Sequence, residues 1–456
     1  MNKLFGTDGE RGIAVTDLTC ELAMKIGRAA AVTIAGGEER HSRIIIGTDT
    51  RSSSDPLEDA VVSGVRSVGT DAEVLGVVPT SVVAYMTEKH DADAGIMISG
   101  SGSSAEFNGI KIFGHKGRML TDDEECEIEN LVLYEHHNIK LAPHDEAGRI
   151  SYYNQAADDY IEYIREIAEC DLSGMKIALD CANGCASVTA QKLFSSFGAE
   201  IFVMSDTPDG ENINRNCGTN QIDPLIYFMK KNSCDCAFAF DGDADRCTAV
   251  DENGEIVDGE RIFAILLEKY SRDGLLKDNT AVITAMANSG LRKFASDKGI
   301  TLVNAGAGHR YILERMTENG YNLGGEPNGH IVFLDDLPTA DGQLTALRIL
   351  GIMKKENKKL SQLAADMTKL PQVMLNVRID TQCREMWKNN KEISQMIESF
   401  ENELGENGRI VVRESGHEPL IRIMTEGSDF SRINEMAMAL EDCIRRLFRH
   451  RAAKEQ

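Results

Sequence analysis

The sequence predicts an α/β protein of several domains, and three observations carry that expectation. A chain of 456 residues exceeds what one hydrophobic core serves, so about three or four domains are expected. Through the first three quarters, short β-branched runs alternate with Gly- or Asx-rich turns and with apolar 3.6-residue periodicity, the pattern of mainly parallel sheets covered by helices. In the last quarter, strands follow one another without a full crossover helix, so the chain closes on an α+β unit.

Ile44-Ile-Ile-Gly47 is the first clear strand. The helix after it is expected to take Asp55 as N-cap and Pro56 as first residue. Ala94 to Ile98, Lys176 to Asp180, Cys236 to Phe240, Cys247 to Val250 and Ala281 to Thr284 read as further strands. Gln372 to Ile379, Arg409 to Arg413 and Leu420 to Met424 are the terminal strands, and an amphipathic helix ends the chain. Polar or Pro-marked stretches near 150, 250 and 368 divide the chain into 1–150, 151–250, 251–368 and 369–456. In such sheets ligands lie beyond the carboxyl ends of the strands, which points to the loops there.

Composition narrows the partners. A formal net charge of −24 disfavours nucleic acid and anionic membranes, and 6% aromatic residues offer no base-stacking platform. No signal peptide is evident and no apolar run approaches the ~18 residues of a membrane span, so a soluble cytoplasmic protein is expected. The 11 cysteines, mostly in apolar segments, read as reduced thiols. Cys181 with Cys185 and Cys234 with Cys236 lack a second half at zinc spacing and read as structural.

Four loops carry chemistry. Asp241-Gly-Asp-Ala-Asp-Arg246 alternates three carboxylates with small residues, so their oxygens can converge on a hard divalent cation, best Mg²⁺. An EF-hand would need Gly where Arg246 stands, and its flanks would be helices rather than strands. Ser99-Gly-Ser-Gly-Ser-Ser104 follows a strand and suits a nucleophile or a phosphate site, with Lys111 near as a cation or general acid, although such a run also suits a linker. Leu323-Gly-Gly-Glu-Pro-Asn-Gly-His330 presents Glu326 and Asn328 between glycines, fit for sugar hydroxyls or for a plain turn. Arg413-Glu-Ser-Gly-His-Glu-Pro-Leu-Ile-Arg422 gathers two arginines, a hydroxyl and backbone amides, as a dianionic phosphate requires.

In this order, and together with Phe5-Gly-Thr-Asp-Gly-Glu-Arg-Gly12, Asp49-Thr-Arg51, Asn212-Ile-Asn214, Val257-Asp-Gly259 and Gly308-His-Arg-Tyr311, the loops resemble the α-D-phosphohexomutase superfamily over nearly the whole chain. The resemblance implies three similar α/β domains and a smaller α+β domain around a central cleft. It implies interconversion of glucosamine 6-phosphate and glucosamine 1-phosphate through an enzyme phosphoserine and a glucosamine 1,6-bisphosphate intermediate, within amino-sugar metabolism. It places the phosphoserine at Ser101, Mg²⁺ on Asp241, Asp243, Asp245 and a Ser101 phosphate oxygen, and Arg11 and Lys111 at the transfer centre. Arg246, His309, Arg310, Glu326 and Asn328 would bind the sugar phosphate, and Arg413, Ser415, Gly416, His417 and Arg422 would grip its other phosphate. A homodimer through the first domain is also implied. The alternative readings are a sugar-phosphate binder without catalysis and a mutase for mannose or glucose phosphate.

The chain departs from the superfamily's usual Ser-Ala-Ser-His-Asn-Pro at the serine loop, where Gly102 stands for histidine and Ser104 for proline. Thr48, Asn328 and His417 depart likewise from a basic residue, a serine and a threonine. The extra glycines predict a larger entropy cost for holding Ser101 in place.

Overall fold

The structure is a computed structural model, and it describes residues 4–6, 9–35, 42–168, 170–306, 308–379, 387–388, 390–405, 408–414 and 420–452. The first sheet has six strands in the order Glu10–Ile13, Phe107–Phe113, Ala94–Ile98, Arg43–Thr48, Asp71–Val77 and Ile150–Tyr152. Arg43–Thr48 pairs in parallel with both neighbours, and Phe107–Phe113 runs antiparallel to both of its own. Ile44, Ile45 and Ile46 are fully buried, because a parallel strand covered by helices on both faces needs continuous rather than alternating apolar residues. Helices Cys20–Ala35 and Ser54–Arg66 cover one face through Ile26, Ala30, Leu57 and Val61.

The second of these helices starts earlier than expected. Its N-cap is Ser53, and Asp55 lies within the first turn. The Ser54 hydroxyl donates to Asp49 Oδ1 at 2.9 Å, which fixes the helix start on a loop the local sequence signal does not see.

The second sheet orders Ile256–Val257, Cys247–Val250, Cys236–Phe240, Lys176–Asp180 and Glu200–Met204. The third orders Thr301–Ala305, Thr280–Thr284, Leu323–Gly325 and Ile331–Phe333. Both combine parallel and antiparallel pairs. The sixth strand of the first sheet straddles the boundary expected at 150.

By packing, the chain forms two compact units, Met1–Ala285 with Gly299–Asp366, and Met286–Lys298 with Met367–Gln456. The second is built on the antiparallel sheet Gln372–Arg378, Leu420–Gly427 and Gly408–Glu414, with helices Lys391–Leu404 and Phe430–Ala452 against it. Helix Ser289–Asp297 belongs to this unit, since Asn288 bonds both backbone groups of Leu370 and the Ser289 amide donates to Glu426. Ten described cysteines are free thiols, and no described helix is long and apolar enough to cross a membrane.

Candidate active site

The loop Asp241–Arg246 leaves strand Cys236–Phe240 and returns as Cys247–Val250. Its small residues let the backbone turn tightly, with Ala244 in the left-handed region at φ 59° and the Ala244 amide donating to Asp241 O. That conformation costs an alanine about 1–2 kcal/mol, so the surroundings must hold it. They do so through three successive carbonyls. Gly242 O accepts from Cys185 N at 2.8 Å, Asp243 O from Thr80 N at 3.0 Å and Ala244 O from Gly342 N at 3.0 Å. Each donor opens a helix, Ala186–Ser195, Thr80–Lys89 or Gly342–Glu356, so three positive helix ends face one acidic loop.

Asp241, Asp243 and Asp245 are at most 1% exposed, and ligand oxygens from all three lie within 4.8 Å of one another. Burial, then the charges of Asp245 and Asp243, push the Asp241 carboxyl well above its usual range. Burial alone would raise Asp245 as well, but His330 and Lys111 hold it well below. Lys111 Nζ is 3.1 Å from Asp245 Oδ2 and 3.8 Å from Asp243 Oδ2. A set of converging, buried, hard oxygen donors fits Mg²⁺, which would relieve their mutual repulsion.

Ser101 meets this set directly. Its hydroxyl donates to Asp241 Oδ2 at 2.8 Å, and the residue is fully buried with φ 49°. Contacts outside the serine loop's own sequence hold that strained position. Arg51 Nη2 donates to Ser101 O and Ser103 O at 3.2 and 2.6 Å, and Asn214 Nδ2 donates to both at 2.8 Å. Ser101 N donates to Ser99 Oγ at 2.9 Å, whose hydroxyl donates to Asp49 Oδ2 at 2.6 Å. Asp49 and Arg51 form a fully buried ion pair beneath the loop. The ordering cost expected from the extra glycines is therefore met by bonds from Asp49, Arg51 and Asn214. Arg11 lies on the neighbouring strand, with Nη1 3.2 Å from Gly100 O.

At Gly102, an added Cβ would lie 3.3 Å from both Arg246 Nη1 and Asn220 Nδ2, so glycine lets these two groups close over the loop. Gly242 is tighter still. A Cβ there would stand 2.5 Å from Ser101 O and 2.9 Å from Ile213 Cδ1, so serine loop and acidic loop touch backbone to backbone only because position 242 has no side chain. Gly242→Ala is expected to lose about 1–3 kcal/mol of stability by overpacking and about 10²-fold in turnover through displacement of Ser101. Urea midpoints and kcat on the same preparation check both.

The loop of Glu326 packs on the same ladder, with an antiparallel bridge from Arg246 to His330. His330, which closes the loop and carries no role predicted from sequence, is the centre of this side. Its Nε2 lies 2.9 Å from Asp245 Oδ1 and its Nδ1 3.0 Å from Glu326 Oε2. Burial opposes protonation, but the flanking carboxylates push His330 up to about 10. Arg246 Nε lies 3.2 Å from the same Nε2; an imidazolium has no lone pair to offer it, so two cations here share the carboxylates. Burial would raise Glu326 also, yet His330 holds it below its usual range. A histidine four residues from a glycine-bracketed glutamate was the available signal. Asn328 is exposed, and its Oδ1 accepts from His330 N at 3.3 Å.

His309 is 3% exposed, its ring 5.0 Å from that of His330, and Nε2 is 3.1 Å from Thr339 Oγ1. Burial and the neighbouring His330 cation bring it down to about 4, so it is neutral. Arg310 turns elsewhere, to Asp122 at 2.6 Å and to Glu125. In the second unit, Arg413 and Arg422 are direct cross-strand partners. Ser415, Gly416 and His417 lie outside the described residues.

Fold and site together define a multidomain α/β phosphoryl-transfer type of centre, a buried serine set against a carboxylate cluster suited to a divalent cation. Family models agree. Phosphoglucomutase/phosphomannomutase alpha/beta/alpha domains I, II and III match residues 2–138, 158–254 and 258–370, and the C-terminal domain matches 374–442. The phosphoglucosamine mutase of Clostridium beijerinckii is 44% identical over 98% of this chain and 100% of its own, and that of Clostridium acetobutylicum is 46% identical over 97% and 99%. A phosphoglucomutase/phosphomannomutase family protein from Burkholderia thailandensis shares the fold with TM-score 0.80 at 22% identity, covering 98% and 97% of the two chains. Aspergillus fumigatus N-acetylphosphoglucosamine mutase, solved with GlcNAc-6P and magnesium, does so at TM-score 0.70 and 16% identity over 98% and 96%. The chain belongs to the phosphoglucomutase/phosphomannomutase family, within the α-D-phosphohexomutase superfamily.

Proposed function

We propose that the protein interconverts glucosamine 6-phosphate and glucosamine 1-phosphate. One observation carries the chemistry, the Ser101 hydroxyl bonded to Asp241 inside the carboxylate cluster. The full-length likeness to phosphoglucosamine mutases supports the substrate, and it favours this reading over a non-catalytic binder or a mutase for mannose or glucose phosphate.

Phosphorylated Ser101 gives its phosphoryl group to the free hydroxyl of the sugar monophosphate. The bond from phosphorus to the serine oxygen breaks as that to the sugar oxygen forms. The resulting glucosamine 1,6-bisphosphate turns over and returns its other phosphoryl group to Ser101. Mg²⁺ held by Asp241, Asp243 and Asp245 would neutralise charge on the transferring group. Lys111, with Nζ 3.1 Å from Asp245 Oδ2, serves as general acid/base, taking the proton of the attacking sugar hydroxyl and returning one to the serine oxygen, while Arg11 steadies the serine loop from Gly100 O. Arg246, Glu326, Asn328 and neutral His309 face the sugar. Arg310, committed to Glu125 and Asp122, supports the domain packing instead.

Arg413 and Arg422, with Ser415, Gly416 and His417, take the phosphate that is not reacting. Arg422→Gln is expected to raise KM about 10- to 100-fold, the loss of one charge-assisted bond, with the fold retained. Steady-state kinetics and a thermal melt check it. The reading as a whole is tested by supplying glucosamine 6-phosphate, Mg²⁺ and catalytic glucosamine 1,6-bisphosphate; the 1-phosphate should form, and absence of turnover on every hexose phosphate tried overturns it.

A further inference from the structure

Behind the acidic loop lies a second buried carboxylate that the phosphoryl chemistry does not use. Asp341 is 1% exposed, and its Oδ2 accepts from the Ser81 hydroxyl at 2.6 Å and the Tyr160 hydroxyl at 2.7 Å. Its Oδ1 accepts from Leu344 N at 2.7 Å, capping helix Gly342–Glu356. The hydroxyl distances are those of charge-assisted bonds, the stronger class. Ser81 and Tyr160 are each fully buried, and the three residues come from three different α/β domains.

The neighbours of this cluster grip the metal loop from both sides. Thr80, next to Ser81, donates its backbone amide to Asp243 O at 3.0 Å and its hydroxyl to Asp243 Oδ2 at 2.7 Å. Gly342, next to Asp341, donates to Ala244 O, the residue held at φ 59°. Glycine is required there, since a Cβ at 342 would stand 2.3 Å from Arg246 O and 3.0 Å from Ala244 O. Asp341 thus joins the two elements that fix Asp243 and Ala244 through the Ser81 hydroxyl of the first domain, and the Tyr160 hydroxyl of the second braces the same carboxylate oxygen.

From this arrangement we infer that Asp341, Ser81 and Tyr160 are positioning residues for the divalent cation, setting its affinity by holding the strained 241–246 loop. The inference rests on the proposed metal site at Asp241, Asp243 and Asp245. Loss of one hydroxyl leaves a buried carboxylate oxygen short of a donor and loosens the grip of Thr80 or Gly342, so cation affinity falls while the sugar-binding groups stay in place.

Direct titration with Mn²⁺, followed by electron paramagnetic resonance of the free ion on the full chain, tests this without turnover. Ser81→Ala and Tyr160→Phe are each expected to raise the Mn²⁺ Kd about 5- to 20-fold, and Ser81→Thr, which keeps the donor, should restore it. At saturating Mg²⁺, KM for glucosamine 6-phosphate should stay within about twofold of the parent. Variants that lower the Tm but bind Mn²⁺ as tightly as the parent would show packing alone and overturn the inference. A parent protein that binds no Mn²⁺ overturns the metal reading itself, and this inference with it. Should Asp341→Asn fail to fold, the two hydroxyl variants, which retain the carboxylate, carry the test.

Discussion

Ser101→Ala removes sugar-phosphate interconversion by about 10⁶-fold, the scale seen when a covalent nucleophile is deleted, while the fold persists. The persistence follows from where the loop is held. Arg51 and Asn214 bond the carbonyls of residues 101 and 103, and Asp49 reaches the loop through Ser99, so none of these bonds involves the hydroxyl lost in the substitution. That hydroxyl bonds to Asp241. Intact mass spectrometry provides a second readout. Parent protein exposed to the bisphosphate should carry one phosphate, mapping to Ser101, and the alanine variant none. Phosphate retained on the variant at Ser99, Ser103 or Ser104, together with activity, would move the nucleophile and defeat the assignment.

Asp243→Asn is expected to lower kcat/KM by at least about 10³-fold and to abolish stabilisation by Mg²⁺. Charge neutralisation at a transferring phosphoryl group contributes several kcal/mol, and each 1.36 kcal/mol is tenfold in rate. The linked stability effect has a definite sign. Three carboxylates buried to 1% exposure or less repel one another, so the native state alone offers a tight cation site, and Mg²⁺ at 100 times its Kd adds about 2.7 kcal/mol to unfolding. The parent Tm should therefore rise with Mg²⁺ and fall back on chelation, whereas that of the variant should not move. Because the asparagine removes a repelling charge, the variant without Mg²⁺ should be no less stable than the parent without it. Equal Mg²⁺ dependence of the two proteins would exclude Asp243 as a ligand.

Much of this centre was open to reading along the chain because the chemistry sits in contiguous loops. Alternating Asp241, Asp243 and Asp245 with Gly242 and Ala244 already specified converging oxygens, and the strands on either side matched Cys236–Phe240 and Cys247–Val250 residue for residue. Ala94–Ile98 and Lys176–Asp180 were equally plain, since buried parallel strands announce themselves as unbroken apolar runs. Where the sequence reading fell short, a side-chain contact outside the local signal had decided the outcome. The helix at Ser54 begins before Asp55 because Asp49 takes the Ser54 hydroxyl. Arg310 looked like a substrate ligand within Gly308-His-Arg-Tyr311, but Glu125 and Asp122 from the first domain claim its guanidinium.

The divide between the two kinds of knowledge follows from the range of the forces. Residue types and their spacing along the chain pointed to the α/β class and the hard-oxygen donor set, because each depends on backbone geometry over a few residues, while Ser101 as the partner of that set came from the resemblance of the four loops taken together. Only the folded chain could show His330 pushed up to about 10 between Asp245 and Glu326, His309 kept neutral, and Asp341 tied to Ser81 and Tyr160. Burial and charges brought mostly from many tens of residues away set those states, and the spacing of Glu326 and His330 is their one local trace. The same holds for the serine loop. Its glycines read alone predict an entropy cost, and the bonds that hold Ser101 against Asp241 exist only in the folded chain, those from Asp49 and Arg51 within the first domain and those of Asn214 and Asp241 from the second.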